Sequence, residues 1–185
     1  MSDFVTPSPN IETERLVLRG WRVDDFGLIE ALYSDPDTAH FIGGVKSRNE
    51  SWRTFASLVG HWHLRGFGFF VVQITRTGDA IGFCGPWFPE GWPEHELGYA
   101  FLPSAHGKGY ATEAVAGSLR YAYDRLGWQT AISLIDPQNA ASRAVAGRVG
   151  AVNTGEPFAV PAGTTVDIWR HLSLDRFRER FHDAA

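Results

Sequence analysis

The sequence contains one cysteine in 185 residues. A lone thiol closes no internal disulfide and supplies no cysteine-rich zinc cluster, so neither kind of staple holds this chain together. An excess of one charge is missing too: 17 lysines and arginines face 21 aspartates and glutamates, a formal net charge of −4. That balance makes no basic field for nucleic acid or an anionic membrane, and neither is expected as a partner. Apolar runs are short, none near the ~20 residues of a membrane-spanning helix. Residues 1–10 carry Asp3 and two prolines but no basic stretch and no apolar core. No secretory signal is read there, and a cytoplasmic protein is expected. Internal repeats and low-complexity tracts are also absent.

What is present suits a folded chain. Hydrophobic residues make up 44%, aromatics 14% and charged residues 21%, a composition of ordered rather than disordered chains. The length fits one domain, and a chain this size buries roughly 70% of its unfolded surface. Residues 1–10 read as a flexible leader, 11–172 as a single domain, and 173–185 as a C-terminal tail or short helix with Leu174, Phe177 and Phe181 at helical spacing.

Local signals alternate between helix and strand. A first strand is expected around Arg15 to Arg19. Asp24 reads as the N-cap of a helix carrying Phe26, Ile29 and Tyr33, which Ser34-Asp35-Pro36 stops. Ser47 and Glu50 make a capping box. Behind it Trp52, Phe55, Val59 and Trp62 fall on one helical face, so Trp52 and Trp62 are expected in the core, and Gly66 closes the helix. Phe69 to Thr75 and Ala80 to Gly85 read as a hairpin. His95 to Leu102 is a strand, Gly107 to Leu126 a glycine turn opening into a long helix, and Thr130 to Ile135 a strand. A short helix ending at Gly150 and two last strands follow. Only the strand–helix–strand unit at 95–135 demands a parallel crossover. The fold class is therefore α/β (α+β) with a mixed sheet, not a sheet of repeated crossovers.

The glycine turn His106-Gly107-Lys108-Gly109-Tyr110-Ala111 sits between a strand and a helix. A helix N-terminus offers unpaired N–H groups and partial positive charge to an anion, and glycine lets the backbone approach it closely. A P-loop would need Ser or Thr after Gly-Lys, where this chain has Gly109, and a dinucleotide fingerprint would need glycine where it has Thr112. A plain strand-to-helix turn accounts for a glycine pair equally well.

The surrounding motifs carry a resemblance. Glu96-Leu97-Gly98-Tyr99-Ala100-Phe101-Leu102-Pro103, Gly107-Lys108-Gly109-Tyr110-Ala111-Thr112-Glu113-Ala114, Asp136-Pro137-Gln138-Asn139-Ala140-Ala141-Ser142 and Val149-Gly150 occur in order. With the opening Glu12-Thr13-Glu14-Arg15-Leu16-Val17-Leu18-Arg19, they make residues 11 to 172 resemble the GNAT N-acetyltransferases, in the branch of the RimJ/RimL-type ribosomal-protein alanine acetyltransferases. The resemblance implies a mostly antiparallel sheet of about seven strands flanked by helices, with a bulged or splayed cleft for acetyl-CoA. It implies direct transfer of an acetyl group, in a ternary complex, to an amine acceptor such as a peptide N-terminus or a small molecule. Coenzyme A would be the product, no metal would be used, and the protein would be a monomer or homodimer. The family's diphosphate loop falls on His106, Gly109 and Ala111, with amides from Gly107 through Lys108 and Tyr110 to Thr112 holding the anion. Phe101 and Leu102 would pair their backbone with the pantetheine arm, and Asn139 would contact it. The chain departs from the family's pattern at His106, usually Gln or Arg, at Ala151, commonly Phe, and at Ala146, where many members carry a Tyr that protonates the leaving thiolate.

Acetyl transfer needs a base for the amine, polarisation of the carbonyl and a proton or hydrogen bond for the sulfur. Glu96, Gly98, Ala100 and Leu102 share one strand face. Two small residues beside a carboxylate leave room for a substrate, and Glu96 lies near the family's strand-borne glutamate base; an edge carboxylate, solvated or paired with an arginine, is the plainer reading. Ser142, three residues after Asn139, is the candidate substitute for the missing Tyr, or else an ordinary first-turn residue behind an Asn cap. Cys84, in an apolar strand, reads as buried and inert. His61 and His63 suggest no metal. Trp87 and Trp92 could wall the acceptor pocket, cap the sheet edge or form a dimer contact. A catalytically silent acyl-CoA-binding or regulatory module on the same fold is the competing function.

Overall fold

A computed structural model describes residues 8–161 and 163–181. The first seven residues of the expected leader and the last four of the expected tail lie outside the described residues. The chain runs β1 (Ile11–Glu12), β2 (Leu16–Arg19), α1 (Phe26–Ser34), α2 (Pro36–His40), α3 (Arg48–Arg65), β3 (Phe70–Ile74), β4 (Ala80–Trp87) and β5 (Glu96–Phe101). It continues with α4 (Tyr110–Leu126), β6 (Ile132–Ile135), α5 (Ala140–Arg148), β7 (Val152–Ala159), β8 (Thr165–Arg170) and α6 (Leu174–Phe181). The strands form one sheet in the order β1-β2-β3-β4-β5-β6-β8-β7. Every pairing is antiparallel except β5 with β6. This is the mixed, mostly antiparallel sheet that was expected, with the two-residue β1 as an eighth strand.

Side-chain alternation assigns the layers. Phe83 and Cys84 are neighbours on β4 and point to opposite faces. Phe83 lies 6.2 Å from Trp21, which meets Phe55 of α3 edge-on at 5.7 Å. Cys84 receives a hydrogen bond from Ser118 of α4. Helix α3 therefore covers one face and α4 the other. Trp21, Phe70, Leu97, Leu119 and Ile132 are fully buried between these layers.

The capping box of α3 forms as expected. Ser47 accepts from the Glu50 N–H, Glu50 accepts from the Ser47 N–H at 2.9 Å, and Gly66 ends the helix at φ 77°. Two local expectations are corrected. Asp24 does not cap α1: a 3-10 turn at Val23–Asp25 intervenes, and Asp25 makes the contacts. Its carboxylate accepts from the Arg22 N–H at 2.7 Å and from two nitrogens of Arg19 at 2.8 Å. Arg19 is buried, so a buried partner must neutralise it, and Asp25 is the residue that reaches it. Trp52 is not core but 49% exposed. The buried stripe of α3 runs through Ser51, Phe55, Leu58 and Trp62, which leaves Trp52 at its margin, edge-on to Phe26 at 5.2 Å. Ser34-Asp35-Pro36 ends α1 and also starts α2, because Asp35 accepts from the Thr38 N–H at 2.9 Å with Pro36 in the first turn.

Candidate active site

Strands β5 and β6 run parallel but pair at one position, Glu96 with Ile132. There the Ile132 N–H donates to the His95 carbonyl at 2.9 Å. In an unbroken parallel ladder the next such bond would run from Leu134 N–H to the Leu97 carbonyl. Side chains replace it. Leu134 N–H donates to Glu96 Oε1 at 3.4 Å, and Ser133 Oγ donates to the Leu97 carbonyl at 2.6 Å. The sheet forks at this point, and Glu96 stands at the vertex.

Cross-strand pairing puts Glu96 beside Trp87, and Ala100 beside Phe83, on the α3 face. Glu96 is 8% exposed. Its Oε2 accepts from Trp92 Nε1 at 2.5 Å. Burial pushes the carboxyl up to about 7, against the lowering effect of the Trp92 and Leu134 hydrogen bonds. Such a group is part carboxylate, part acid near neutral pH, as a general base or acid requires. The room expected beside it at Gly98 is not open: the Phe69 ring occupies it, 2.8 Å from where a Cβ on Gly98 would sit. Trp87 is packed flat between Phe69 at 4.6 Å and His61 at 4.1 Å. Trp92 touches the carboxylate itself and meets Phe158 of β7 at 6.4 Å.

On the opposite face Tyr99 reaches from β5 to α5, where its hydroxyl donates to the Ser142 carbonyl at 2.9 Å. Asn139 caps α5 by accepting from the Ser142 N–H at 2.9 Å. That cap uses the backbone of Ser142 and leaves its half-buried hydroxyl out of the bond. Glu96 and Ser142 thus flank the fork from opposite faces. Ala146 is fully buried and packs with Ile135, Ala151 and Trp169.

The open arm of the fork leads to the glycine turn. Gly107 and Gly109 are left-handed at φ 73° and 80°, and nothing lies within 4 Å of where a Cβ on Gly107 would sit. Gly109 is the N-cap residue of α4 and brings no side chain to cap it. The amides of Tyr110, Ala111 and Thr112 have no intrahelical acceptor. His106 Nε2 meets the Phe101 carbonyl at 3.1 Å. Lys108 is exposed, while Tyr110, Ala111 and Thr112 are half-buried. Leu102 is engaged within the chain: its N–H donates to Ile81 and its carbonyl accepts from Ala105, both at 2.9 Å. Alternation from Leu97 turns the backbone of Tyr99 and Phe101, rather than Leu102, toward the gap. Uncapped amides, left-handed glycines and an open strand edge together fit a diphosphate with an extended arm.

Other candidates behave as their surroundings dictate. Cys84 is fully buried, and burial pushes its thiol up to about 12. His61 is committed to Phe67 and Phe88 through both ring nitrogens. Among the described residues no group of three His, Cys, Asp or Glu side chains could hold a metal ion. None of their helices is long and apolar enough to cross a membrane. Sequence reasoning missed the two-pronged pair of Arg170 with Glu94 at 2.8 and 2.7 Å, near the vertex; its partners are 76 residues apart.

Known proteins share this architecture. The profile of the acetyltransferase (GNAT) domain matches residues 15–152. An uncharacterised protein of Bacillus subtilis, YkkB, is 32% identical over 149 residues, 75% of this chain and 82% of that protein. An acetyltransferase structure from Agrobacterium tumefaciens superposes with a TM-score of 0.80 at 29% identity, covering 93% of this chain and 99% of that one. RimJ from Mycobacterium smegmatis, solved with CoA-disulfide, gives 0.74 at 18% identity over 97% and 96% of the chains. Spermidine N-acetyltransferase from Vibrio cholerae, solved with CoA and spermine, gives 0.70 at 18% over 89% and 99%.

Proposed function

Because this chain belongs to the GNAT acetyltransferase family, we propose that it transfers an acetyl group from acetyl-CoA to a primary amine, directly, within a ternary complex. The observation that carries the reading is Glu96: a buried carboxyl titrating at about 7, at the vertex of a forked sheet. When bound, acetyl-CoA supplies an activated thioester acyl group.

The chain's own residues do the rest. Amides from Gly107 to Thr112 hold the diphosphate, with His106 bracing the Phe101 carbonyl at the strand end. The backbone of Tyr99 and Phe101 lines the pantetheine arm, and Asn139 keeps the start of α5 against it. Glu96 takes the proton of the incoming ammonium, either directly or across a water, while Trp92 fixes the carboxylate through Oε2. Ser142 offers a hydrogen bond to the departing sulfur from the opposite face, in place of the phenol that Ala146 cannot supply; the thiolate takes the second proton that the nitrogen loses as the amide forms, and Glu96 returns the first to solvent.

The acceptor is a peptide N-terminus or a small-molecule amine. The RimJ/RimL assignment rests on the ordered motifs. The overlay on a spermidine enzyme is nearly as good as that on RimJ, so overall shape does not choose between them. The domain is taken as 11–172, in a cytoplasmic monomer or homodimer that engages neither nucleic acid nor membrane. One observation favours a silent acyl-CoA-binding module instead: Ala146, sealed in an apolar cluster, leaves no phenol for the thiolate. A panel of amines with acetyl-CoA, N-terminal peptides included, read by release of free thiol, separates the two. Thiol release with at least one amine supports the transferase; CoA binding without release from any of them supports the silent module.

A further inference from the structure

We propose that Arg15 is a positioning residue for the cofactor loop, bracing the Gly107–Gly109 turn from behind so that its amides face the diphosphate. This role rests on the acetyl-CoA reading above. Arg15 lies between β1 and β2, far in sequence from the loop. Its Nη1 donates to the Lys108 carbonyl at 3.0 Å, and its Nε donates to Glu113 Oε2 at 2.7 Å. Its own N–H and the Thr13 hydroxyl both donate to Glu113 Oε1, each at 2.7 Å. The guanidinium sits 4.9 Å from the centre of the Tyr110 ring. Its Nη2 lies 3.2 Å from where a Cβ on Gly109 would be. Thr13 presses on the same helix, its Cγ2 3.0 Å from the Cβ position of Gly117.

What matters for an anion is which way the peptide groups point. Left-handed residues alternating with right-handed ones gather successive N–H groups on one side and carbonyls on the other. A glycine-rich loop left alone samples many other conformations, and some of them turn a carbonyl dipole toward the anion. Arg15 holds the Lys108 carbonyl on the far side, and Glu113 holds Arg15. The planar guanidinium does both at once because its fork presents Nε and Nη1 in a fixed geometry, which a lysine ammonium cannot reproduce. The brace pre-organises the anion site, so less ordering is left to be done on binding. It also gives the motifs Thr13-Glu14-Arg15 and Tyr110-Ala111-Thr112-Glu113 a joint role that neither shows alone.

The test compares CoA binding with the use of a thioester that has no diphosphate. Arg15→Met should weaken CoA binding, measured by calorimetry, by about tenfold, the scale of one charge-assisted hydrogen bond. The ratio of kcat/KM for acetyl-CoA to that for S-acetyl-pantetheine should fall by a similar factor. Arg15→Lys should fall in the same direction, and Glu113→Gln should reproduce the loss without adding to it in the double variant. An equal drop with both thioesters would assign Arg15 to general stability and overturn the brace. So would wild-type CoA affinity in Arg15→Met. If that variant does not fold, Arg15→Lys carries the same comparison. A wild-type chain that binds no CoA overturns the acetyl-CoA reading itself, and the brace falls with it.

Discussion

Replacing Glu96 by glutamine should make the protein a poorer catalyst and one that gains stability on the wild type as pH rises. The carboxyl is raised from 4.5 to about 7, chiefly by burial. As a base it must be ionised, so kcat/KM of the wild type should climb about tenfold per pH unit below 7 and level off above it. Glu96→Gln should remove that limb and lower turnover by about 10²–10⁴-fold. The stability sign follows from proton linkage. The folded chain holds this proton more tightly than the unfolded chain, so the stabilisation is fully present below about 4.5 and lost as pH rises through about 7. Across that pH window the loss amounts to about 3 kcal/mol, at ~1.4 kcal/mol for each pH unit between the folded and unfolded values.

Glutamine is neutral throughout and keeps an oxygen for the Trp92 N–H, but its amide nitrogen cannot accept from the Leu134 N–H, a loss of about 1 kcal/mol or more that is the same at every pH. Relative to wild type its stability should therefore rise by about 3 kcal/mol from pH 4.5 to pH 8, starting from a deficit at pH 4.5. His171 acts in the opposite sense: burial lowers it from 6.5 to about 4, so its contribution is present above 6.5 and lost as pH falls through about 4. The two slopes oppose each other in the wild type, and subtracting variant from wild type at each pH removes the histidine. Urea melts at pH 4.5 and 8, run beside pH–rate profiles with one accepted amine, provide both readings. A stability difference independent of pH, or an intact rate limb in the variant, would show that Glu96 is not the titrating base.

Ser142→Ala should slow turnover while leaving the KM for the acceptor little changed; its melting temperature should hold, because the Asn139 cap uses the Ser142 N–H rather than the hydroxyl. Unaltered kcat would remove Ser142 from the chemistry. Gly109→Val places a branched side chain at φ 80° and against the Arg15 guanidinium. The rise in melting temperature that CoA gives the wild type by mass action should then disappear, and a retained rise would count against the loop as the diphosphate site. Trp92→Phe keeps a ring but drops the N–H that lowers the Glu96 pKa, so the midpoint of the rate limb should move to higher pH; a move to lower pH would contradict the assigned hydrogen bond.

How much of this is legible in the chain depends on how local the cause is. The ends of α3 follow from Ser47, Glu50 and Gly66, because a cap is a matter of three or four neighbouring residues. The strand alternation that sets Glu96 beside Gly98 and Ala100 is equally local. Asp24 has the right residue type for a cap, but buried Arg19 decides between Asp24 and Asp25, and only the folded sheet reveals that burial. Trp52 fits the helical period, yet the stripe that meets the core is centred on Ser51 and Phe55. The environment of Glu96 is beyond reach for a similar reason. Its pKa depends on Trp92 folding back over it and on Leu134 arriving from a strand 38 residues away. Arg15 and Glu113, 98 apart, meet only because β1 and β2 lie against α4.

The fork and its carboxylate are parts of one arrangement. A parallel pair held by a continuous ladder leaves no opening between its strands, so a cleft between β5 and β6 requires that the ladder stop. Stopping it strands a donor and an acceptor in the interior, at a cost unless both find partners. Here Ser133 takes the Leu97 carbonyl and Glu96 takes the Leu134 N–H. The serine is held in turn by His171 Nε2 at 2.9 Å. The glutamate is thereby placed at the narrow end of the cleft, and the same burial that lets it terminate the ladder raises its pKa toward neutrality. A group that ends the sheet must be an acceptor, must reach two residues past its pairing partner on the neighbouring strand and must tolerate burial. A carboxyl meets those conditions and titrates where a base for an amine is useful, so the opening of the sheet and the candidate chemistry come from one side chain.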